Sequence, residues 1–227
     1  MHFRSSVLAK TTIADRTIEV VIAVPSDFHF SAGQYVTITL PKLHNESVHE
    51  QFRDFSIASS PLRSGEIAIA FRASDSPFKT QLLESPHGAT LEIDGPKGIF
   101  TLPETVDRSL VFLAGGIGIT PFLSMLHYLT ETRSLQRVTV LTMNHSQAES
   151  PYCQELRSLT TASHTMHLIE HIGRLTETEL SEQVERHHDV IWYIAGPPAM
   201  VSSTQGTIEK FGISPGDIHI ESFTGYA

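Results

Sequence analysis

The octapeptide Ala114-Gly115-Gly116-Ile117-Gly118-Ile119-Thr120-Pro121 constrains this chain more than any other stretch. It follows a fully apolar run, Leu110-Val111-Phe112-Leu113-Ala114, and precedes Phe122, Leu123, Met125, Leu126 and Leu129 at helical spacing. An apolar run without alternation reads as a strand covered on both faces, so the glycines must turn a buried strand into a helix. Glycine bends the backbone tightly and lets it approach a ligand with no Cβ in between. Thr120 is expected as the N-cap and Pro121 as the first helical residue. Such a helix aims free N–H groups and its positive dipole end at a phosphate. The pattern is not G-x-G-x-x-G, so the dinucleotide fingerprint does not apply literally, and a turn serving only strand–helix packing is the plainer alternative.

From Arg108 onward the same alternation repeats. Val138-Thr139-Val140-Leu141, Met166-His167-Leu168-Ile169, Val190-Ile191-Trp192-Tyr193-Ile194-Ala195 and Ile218-His219-Ile220 read as strands. Helices are expected between them, one around Pro151 to Leu159 and one opened by Thr176-Glu177-Thr178-Glu179, which fits a capping box. Apolar strands alternating with helices imply a parallel sheet covered on both faces. Up to about Glu104 the chain reads differently. Ile18–Val24 closes at Pro25, Tyr35–Leu40 alternates and stops at Pro41, Ile67–Phe71 follows a Ser64-Gly65 turn, and Thr90–Ile93 ends at Gly95-Pro96. Short strands at such intervals predict a small antiparallel barrel. The polar segment from Lys42 to Gln51 reads as a long surface loop.

The formal charge is −9, with 9 Lys/Arg against 12 Asp/Glu up to Glu104 and 7 against 13 beyond it, leaving the halves at −3 and −6. Neither half is a basic module, which disfavours nucleic acid as a partner. No stretch reaches the roughly 20 apolar residues of a membrane helix, and Met1-His2-Phe3-Arg4-Ser5-Ser6 lacks a signal-peptide core, so a cytoplasmic protein is expected. Cys153 is the single cysteine, which excludes an intrachain disulfide or an iron–sulfur cluster held by this chain's own thiolates.

A second motif, Arg53-Asp54-Phe55-Ser56-Ile57-Ala58-Ser59-Ser60-Pro61, places Arg53, Phe55 and Ile57 on one strand face and Asp54 and Ser56 on the other. A guanidinium suits phosphate, an aromatic ring suits a planar ligand, and a hydroxyl can hydrogen-bond a ring nitrogen. An ordinary barrel strand with a surface arginine explains these residues equally well.

With these motifs in place, the chain resembles the ferredoxin–NADP reductase superfamily over essentially its whole length. The matching segments, in order, are Phe30–Tyr35, Arg53–Pro61, Gly95–Phe100, Gly115–Pro121, Ala195–Met200 and Glu221–Tyr226. The resemblance implies a six-stranded antiparallel flavin-binding barrel (residues 1–104) followed by a Rossmann-like nicotinamide nucleotide-binding α/β domain (residues 105–227). It implies an oxidoreductase that passes a hydride from NAD(P)H to FAD and electrons onward to ferredoxin, flavodoxin or another redox protein. Two alternatives stay open: reduction of free flavin or a small molecule, and a non-catalytic nucleotide-binding subunit of a larger complex.

Residue by residue, the resemblance implies that Arg53 contacts the flavin phosphate, with Asp54 and Ile57 flanking it. Phe55 lies beside the flavin, where the family more often has tyrosine, and Ser56 hydrogen-bonds near flavin N5 as the catalytic contact. Ile69, Ala70, Phe71 and Arg72 line the ribityl chain, and Phe78, Lys79 and Thr80 lie at the FAD pyrophosphate. Gly115, Gly116, Gly118 and Thr120 hold the dinucleotide, while Gly196, Pro197 and Met200 bring its nicotinamide end to the flavin. Ala195 replaces a cysteine common in relatives. Phe223 or Tyr226 covers the other flavin face, unless that segment is only a last strand on the sheet.

The adenosine ribose is expected along Asn144–Glu149. A 2′-phosphate calls for arginine, and none occurs between Arg137 and Arg157, so NADH is the expected donor, with Arg174 on the next strand left as a residue able to reach in. The 13 histidines suggest a metal, but His164 falls on the opposite strand face from His167 and His171, and His187-His188 are neighbours in a polar connection. Surface histidines and no metal site are expected. Cys153, in a helical segment with no basic neighbour in sequence, is expected to be a buried inert thiol.

Overall fold

The computed structural model describes residues 1–41, 51–105, 107–187 and 189–223. The expected loop through Lys42–Glu50, and the readings of His188 and Tyr226, lie outside the described residues.

Six antiparallel strands come first: β1 (His2–Ala14), β2 (Thr17–Ala23), β3 (Tyr35–Thr39), β4 (Phe52–Ser56), β5 (Glu66–Arg72) and β6 (Thr90–Lys97). Their order is β4-β3-β6-β1-β2-β5. The sheet is barrel-like without being closed by a ladder: its edge strands β4 and β5 meet at an isolated Ile57–Ile69 bridge. Inside lie Val20, Ile22, Val36, Ile38, Leu91 and Ile93, the inward positions of an alternating pattern.

Two features of this half escaped the sequence reading. β1 carries one fully buried apolar residue, Val7, among polar neighbours, because it is split between two partners. Residues 2–6 pair with β6, and from Val7 onward the strand pairs with β2 through register shifts. The short helix α1 (Pro77–Glu84) was also not predicted; Pro77 suits its first turn, and Phe78 and Leu82 are its buried face. The expected stop of β6 at Gly95-Pro96 needs correcting. The strand continues to Lys97, because Gly95 N–H donates to the Met1 carbonyl and Lys97 pairs opposite Tyr35.

Five parallel strands follow, β7 (Ser109–Gly115), β8 (Val138–Asn144), β9 (Met166–Ile172), β10 (Val190–Gly196) and β11 (Ile218–Ser222), in the order β11-β10-β7-β8-β9. The helices are α2 (Ile119–Glu131), α3 (Cys153–Thr161), α4 (Glu177–Arg186) and α5 (Pro198–Lys210). α4 carries the predicted capping box, with the Thr176 and Glu179 side chains each satisfying the other's backbone N–H. α2 and α3 share one core with Ala32, Ala58, Ala70 and Phe100 of the first lobe, whereas α4 and α5 cover the opposite face around Trp192. The sheet is therefore sandwiched between two helices and the barrel on one side and two helices on the other.

The chain runs from β7 outward to β8 and β9, then returns to the other side of β7 as β10. At such a reversal the loops leaving the two central strands diverge and open a crevice at their C-terminal ends. Those ends here are Gly115 and Gly196. Among the described residues no helix is long and apolar enough to cross a membrane.

Candidate functional site

Two clefts meet where the lobes join. The first has a volume of about 570 Å³ and is lined by the whole exposed length of β4, by the end of β5, by Tyr35, Lys79, Ile117 and Thr120, and by Glu221, Ser222 and Phe223. Because β4 is an edge strand, Arg53, Asp54, Phe55 and Ser56 all border this cleft. Strand alternation separates two faces, but an uncovered edge exposes both, so the expected division of Arg53 and Phe55 from Asp54 and Ser56 does not describe the site.

The first cleft is cationic at one end. The Arg53 guanidinium lies 5.7 Å from the Phe78 ring centroid, and Lys79 stands close enough that burial, then the Arg53 charge, pulls its pKa below the ordinary lysine value. Lys79 belongs to the first turn of α1, a turn with no side-chain cap, and the nearby Ser74 and Ser76 hydroxyls are buried without a hydrogen-bond partner among the described residues. Cations, uncapped amides and unsatisfied hydroxyls together form a donor set complementary to phosphate.

The other end carries a carboxyl group. Glu221 comes from β11, and burial pushes its pKa up to about 7 against a weaker lowering by a hydrogen bond with the Ser56 hydroxyl. Its Oε2 is buried and has no partner among the described residues. Sequence reasoning quoted Glu221 in the terminal segment without assigning it a role. No local signal marks it, because only the pairing of β11 beside β10 carries residue 221 across to β4. Tyr35, Phe52 and Ser222 were missed for the same reason.

Three expected contacts are relocated by packing. Phe78 and Ile69 have 0% exposure and belong to the barrel core; Ile57, also at 0%, bridges Ile69. They shape the cleft wall from behind. Phe55 is 8% exposed, with its ring packed 6.2 Å from Phe71 and 5.9 Å from Phe78, so little of it reaches the cleft. Thr80 is exposed on α1 and does not line the cleft.

The second cleft, of about 480 Å³, opens at the crevice between β7 and β10. Gly115, Gly116, Asn144, Pro197 and Met200 line it, joined by His145, Arg174 and Lys210. The glycines divide into two kinds. Gly116 has φ +54° with open space where a Cβ would be, which leaves its backbone approachable. Gly118 is held tight, since an added Cβ would sit 2.2 Å from the Ala195 carbonyl oxygen. A left-handed backbone accounts for Gly116; strand–helix packing accounts for Gly118.

Thr120 does not cap the helix. A 3-10 turn at Gly116–Gly118 starts the winding early, so α2 begins at Ile119 with Gly118 as its N-cap, and the Thr120 hydroxyl donates to the Ile117 carbonyl. Thr120 faces the first cleft instead of the second. Gly196, at φ +151°, packs against Gly115 and Met200. Asn144 Oδ1 is buried and unsatisfied among the described residues.

Cys153 begins α3 half-buried, not buried, and Arg157 lies one turn along the helix. His164 and His167 are exposed and His171 half-buried. Among the described residues no three His, Cys, Asp or Glu side chains converge as metal ligands would.

A barrel-like lobe joined to a five-stranded parallel α/β lobe, with clefts meeting at the junction, is the architecture of two-lobed flavin–nicotinamide reductases. Comparison with known proteins agrees. Residues 112–206 match the oxidoreductase NAD-binding domain family. The ferredoxin reductase component of 3-ketosteroid-9-alpha-monooxygenase from Rhodococcus rhodochrous is 26% identical, over 97% of this chain and 65% of its own length. Among solved structures, the cytochrome P450 reductase GcoB of Amycolatopsis superposes with a TM-score of 0.85 at 21% identity, covering 100% of this chain and 71% of that one. A ferredoxin NADP+ reductase from Neisseria gonorrhoeae, solved with bound FAD and NADP, gives 0.82 at 20% identity, covering 97% and 98%. The second lobe therefore carries the oxidoreductase NAD-binding domain, and the whole chain has the two-lobed fold of the ferredoxin reductases it resembles. It spans less than two thirds of the length of the curated relatives it matches.

Proposed function

We propose that the protein is an NAD(P)H-dependent flavoprotein reductase, with residues 1–104 holding FAD and 105–227 holding the nicotinamide dinucleotide. The observation that carries this reading is that the two clefts share a wall: Arg72 and Ile117 line both. Two ligands filling them would lie in contact, as direct transfer between them requires. The first cleft fits a flavin dinucleotide through its phosphate-complementary end, its aromatic lining and its buried Ser56–Glu221 pair. The uncapped α1 turn with its two unsatisfied serines supports FAD over a flavin mononucleotide.

Bound FAD supplies the redox chemistry, accepting a hydride from the nicotinamide and releasing electrons to an acceptor. The chain's own residues bind, orient and exclude water. Arg53 and Lys79 offset phosphate charge, Phe223 screens the ring site, and Gly116 lets the dinucleotide approach the opening of α2. Ser56, beside Glu221, presents a hydroxyl at the reacting edge, and Glu221 holds a proton there near neutral pH. The proposed acceptor is a redox protein such as ferredoxin or flavodoxin.

Between Arg137 and Arg157 the chain has no arginine to favour NADPH over NADH. The fold brings Arg174 and Lys210 to the same cleft wall; Lys210 lies 3.6 Å from Glu177, and Arg174 has no ion-pair partner among the described residues. NADPH is therefore a donor alongside NADH. Replacing Arg174 with Ala is expected to lower kcat/KM for NADPH about tenfold more than for NADH, the effect of losing one charge-assisted phosphate contact. The primary test is a visible spectrum of the purified protein followed by anaerobic titration with each nucleotide. Flavin absorbance bleached by a stoichiometric donor supports the reading, and absence of saturable flavin binding ends it.

A further inference from the structure

Resting on that functional reading, we propose that Arg72 and Glu149 form a positioning strut that fixes how the nicotinamide end of the dinucleotide meets the flavin. Arg72 ends β5 in the first lobe, and Glu149 lies beyond β8 in the second. Arg72 Nη1 donates to Glu149 Oε2 at 2.9 Å, and Nη2 donates to the Glu149 carbonyl oxygen at 3.2 Å. One side chain thus grips a carboxylate and a backbone oxygen of the same residue. A guanidinium has five N–H donors in a rigid fork, so Arg72 keeps donors to spare. They find no acceptor among the described residues, at a position bordering both clefts.

The segment that carries Glu149 is anchored to the first lobe a second time. Asp15 N–H, just past β1, donates to the Ala148 carbonyl at 2.7 Å. The two ties pull one short stretch against the ends of β1 and β5. That stretch begins next to Asn144 and His145, in the wall of the second cleft. The side chains of Arg72 and Glu149 are 26% and 30% exposed, and an ion pair so placed contributes little to stability because solvent screens it. Its consequence is geometric. It holds the dinucleotide wall in register with the flavin wall, and a rate that depends on ring-to-ring placement is sensitive to displacements of an ångström.

The test compares purified flavin-loaded wild type with E149A, E149Q and the pair R72A and R72A/E149A. Three quantities are measured: the rate of flavin reduction at saturating nucleotide, the Kd for oxidised nucleotide, and backbone hydrogen exchange at Asp15. The expected result for E149A is a saturating rate lower by about tenfold, a Kd within about threefold, unchanged flavin content and faster exchange at Asp15. The double variant is expected to be no slower than R72A, because the strut is already broken. E149Q keeps the shape of the side chain and carries the test if E149A does not fold; its rate is expected between those of wild type and E149A. Wild-type saturating rates in both Glu149 variants, or costs that add in the double variant, overturn the strut. Failure of the wild type to bind flavin is a separate outcome, seen before any variant is made, and removes the functional reading itself.

Discussion

At the scale of residues, the pair that most repays attention is Ser56 and Glu221. A carboxyl whose pKa sits at about 7 in the fold, because burial disfavours its charge, binds a proton more tightly than the same group in the unfolded chain. It therefore contributes stability that is complete below the ordinary glutamate value of 4.5 and is lost as pH rises through about 7. Glu221→Gln cannot ionise, so the variant should gain stability relative to wild type between pH 5 and 8, as read from denaturant midpoints at the two pH values. The same substitution should remove a titration near pH 7 from the saturating rate of flavin reduction. An unchanged pH profile would show that this proton plays no part at the reacting edge. On the proposed reading, Ser56→Ala should slow reduction by about ten- to a hundredfold with little change in nucleotide affinity, as for a contact confined to the reacting edge; stopped-flow traces over a nucleotide series decide it.

At the scale of elements, the turn between β7 and α2 separates two reasons for glycine. Gly118→Ala should destabilise the protein by about 1–3 kcal/mol, because its Cβ meets the Ala195 carbonyl oxygen in a packed core. Gly116→Ala should cost about 1 kcal/mol for its left-handed backbone and act mainly on nucleotide binding. Urea denaturation and nucleotide titration of both variants separate the two effects. For α4, Thr176→Ala removes one half of the capping box and should cost about 1 kcal/mol. That box was legible from Thr176 to Glu179 because capping is local chemistry. α1 was not legible: its eight residues carry little periodicity, and Phe78 and Leu82 become a buried face only against the barrel.

Across the whole molecule, polar ties between the lobes surround the apolar contact of α2 with the barrel. The Tyr152 hydroxyl donates to Glu19 Oε2 at 2.9 Å, and Ser124 donates to the Ser59 carbonyl at 2.7 Å. Burial raises the Glu19 pKa, and the Tyr152 hydrogen bond opposes that rise. Tyr152→Phe would leave a half-buried carboxylate without its donor, at a cost of about 1–3 kcal/mol where Glu19 is ionised. The loss should shrink at pH 4, where Glu19 takes up a proton, and denaturant unfolding at pH 4 and pH 8 tests this directly.

The strands and their alternation with helices were written locally, in the apolar runs of β7, β8 and β10 and the alternating β3, because periodicity and turn chemistry act over a few residues. The glycine turn, the cationic residues and Ser56 were legible as site candidates for the same reason. What only the tertiary structure decided is which of them meet. Glu221 comes beside Ser56 across 165 positions, Arg174 joins Asn144 in the wall of the second cleft across 30, and Arg72 bonds Glu149 across 77. Phe78 and Ile69 turn inward because burial belongs to the assembled core and not to the segment. Separations of that size are set by sheet order and lobe packing, which no local pattern encodes.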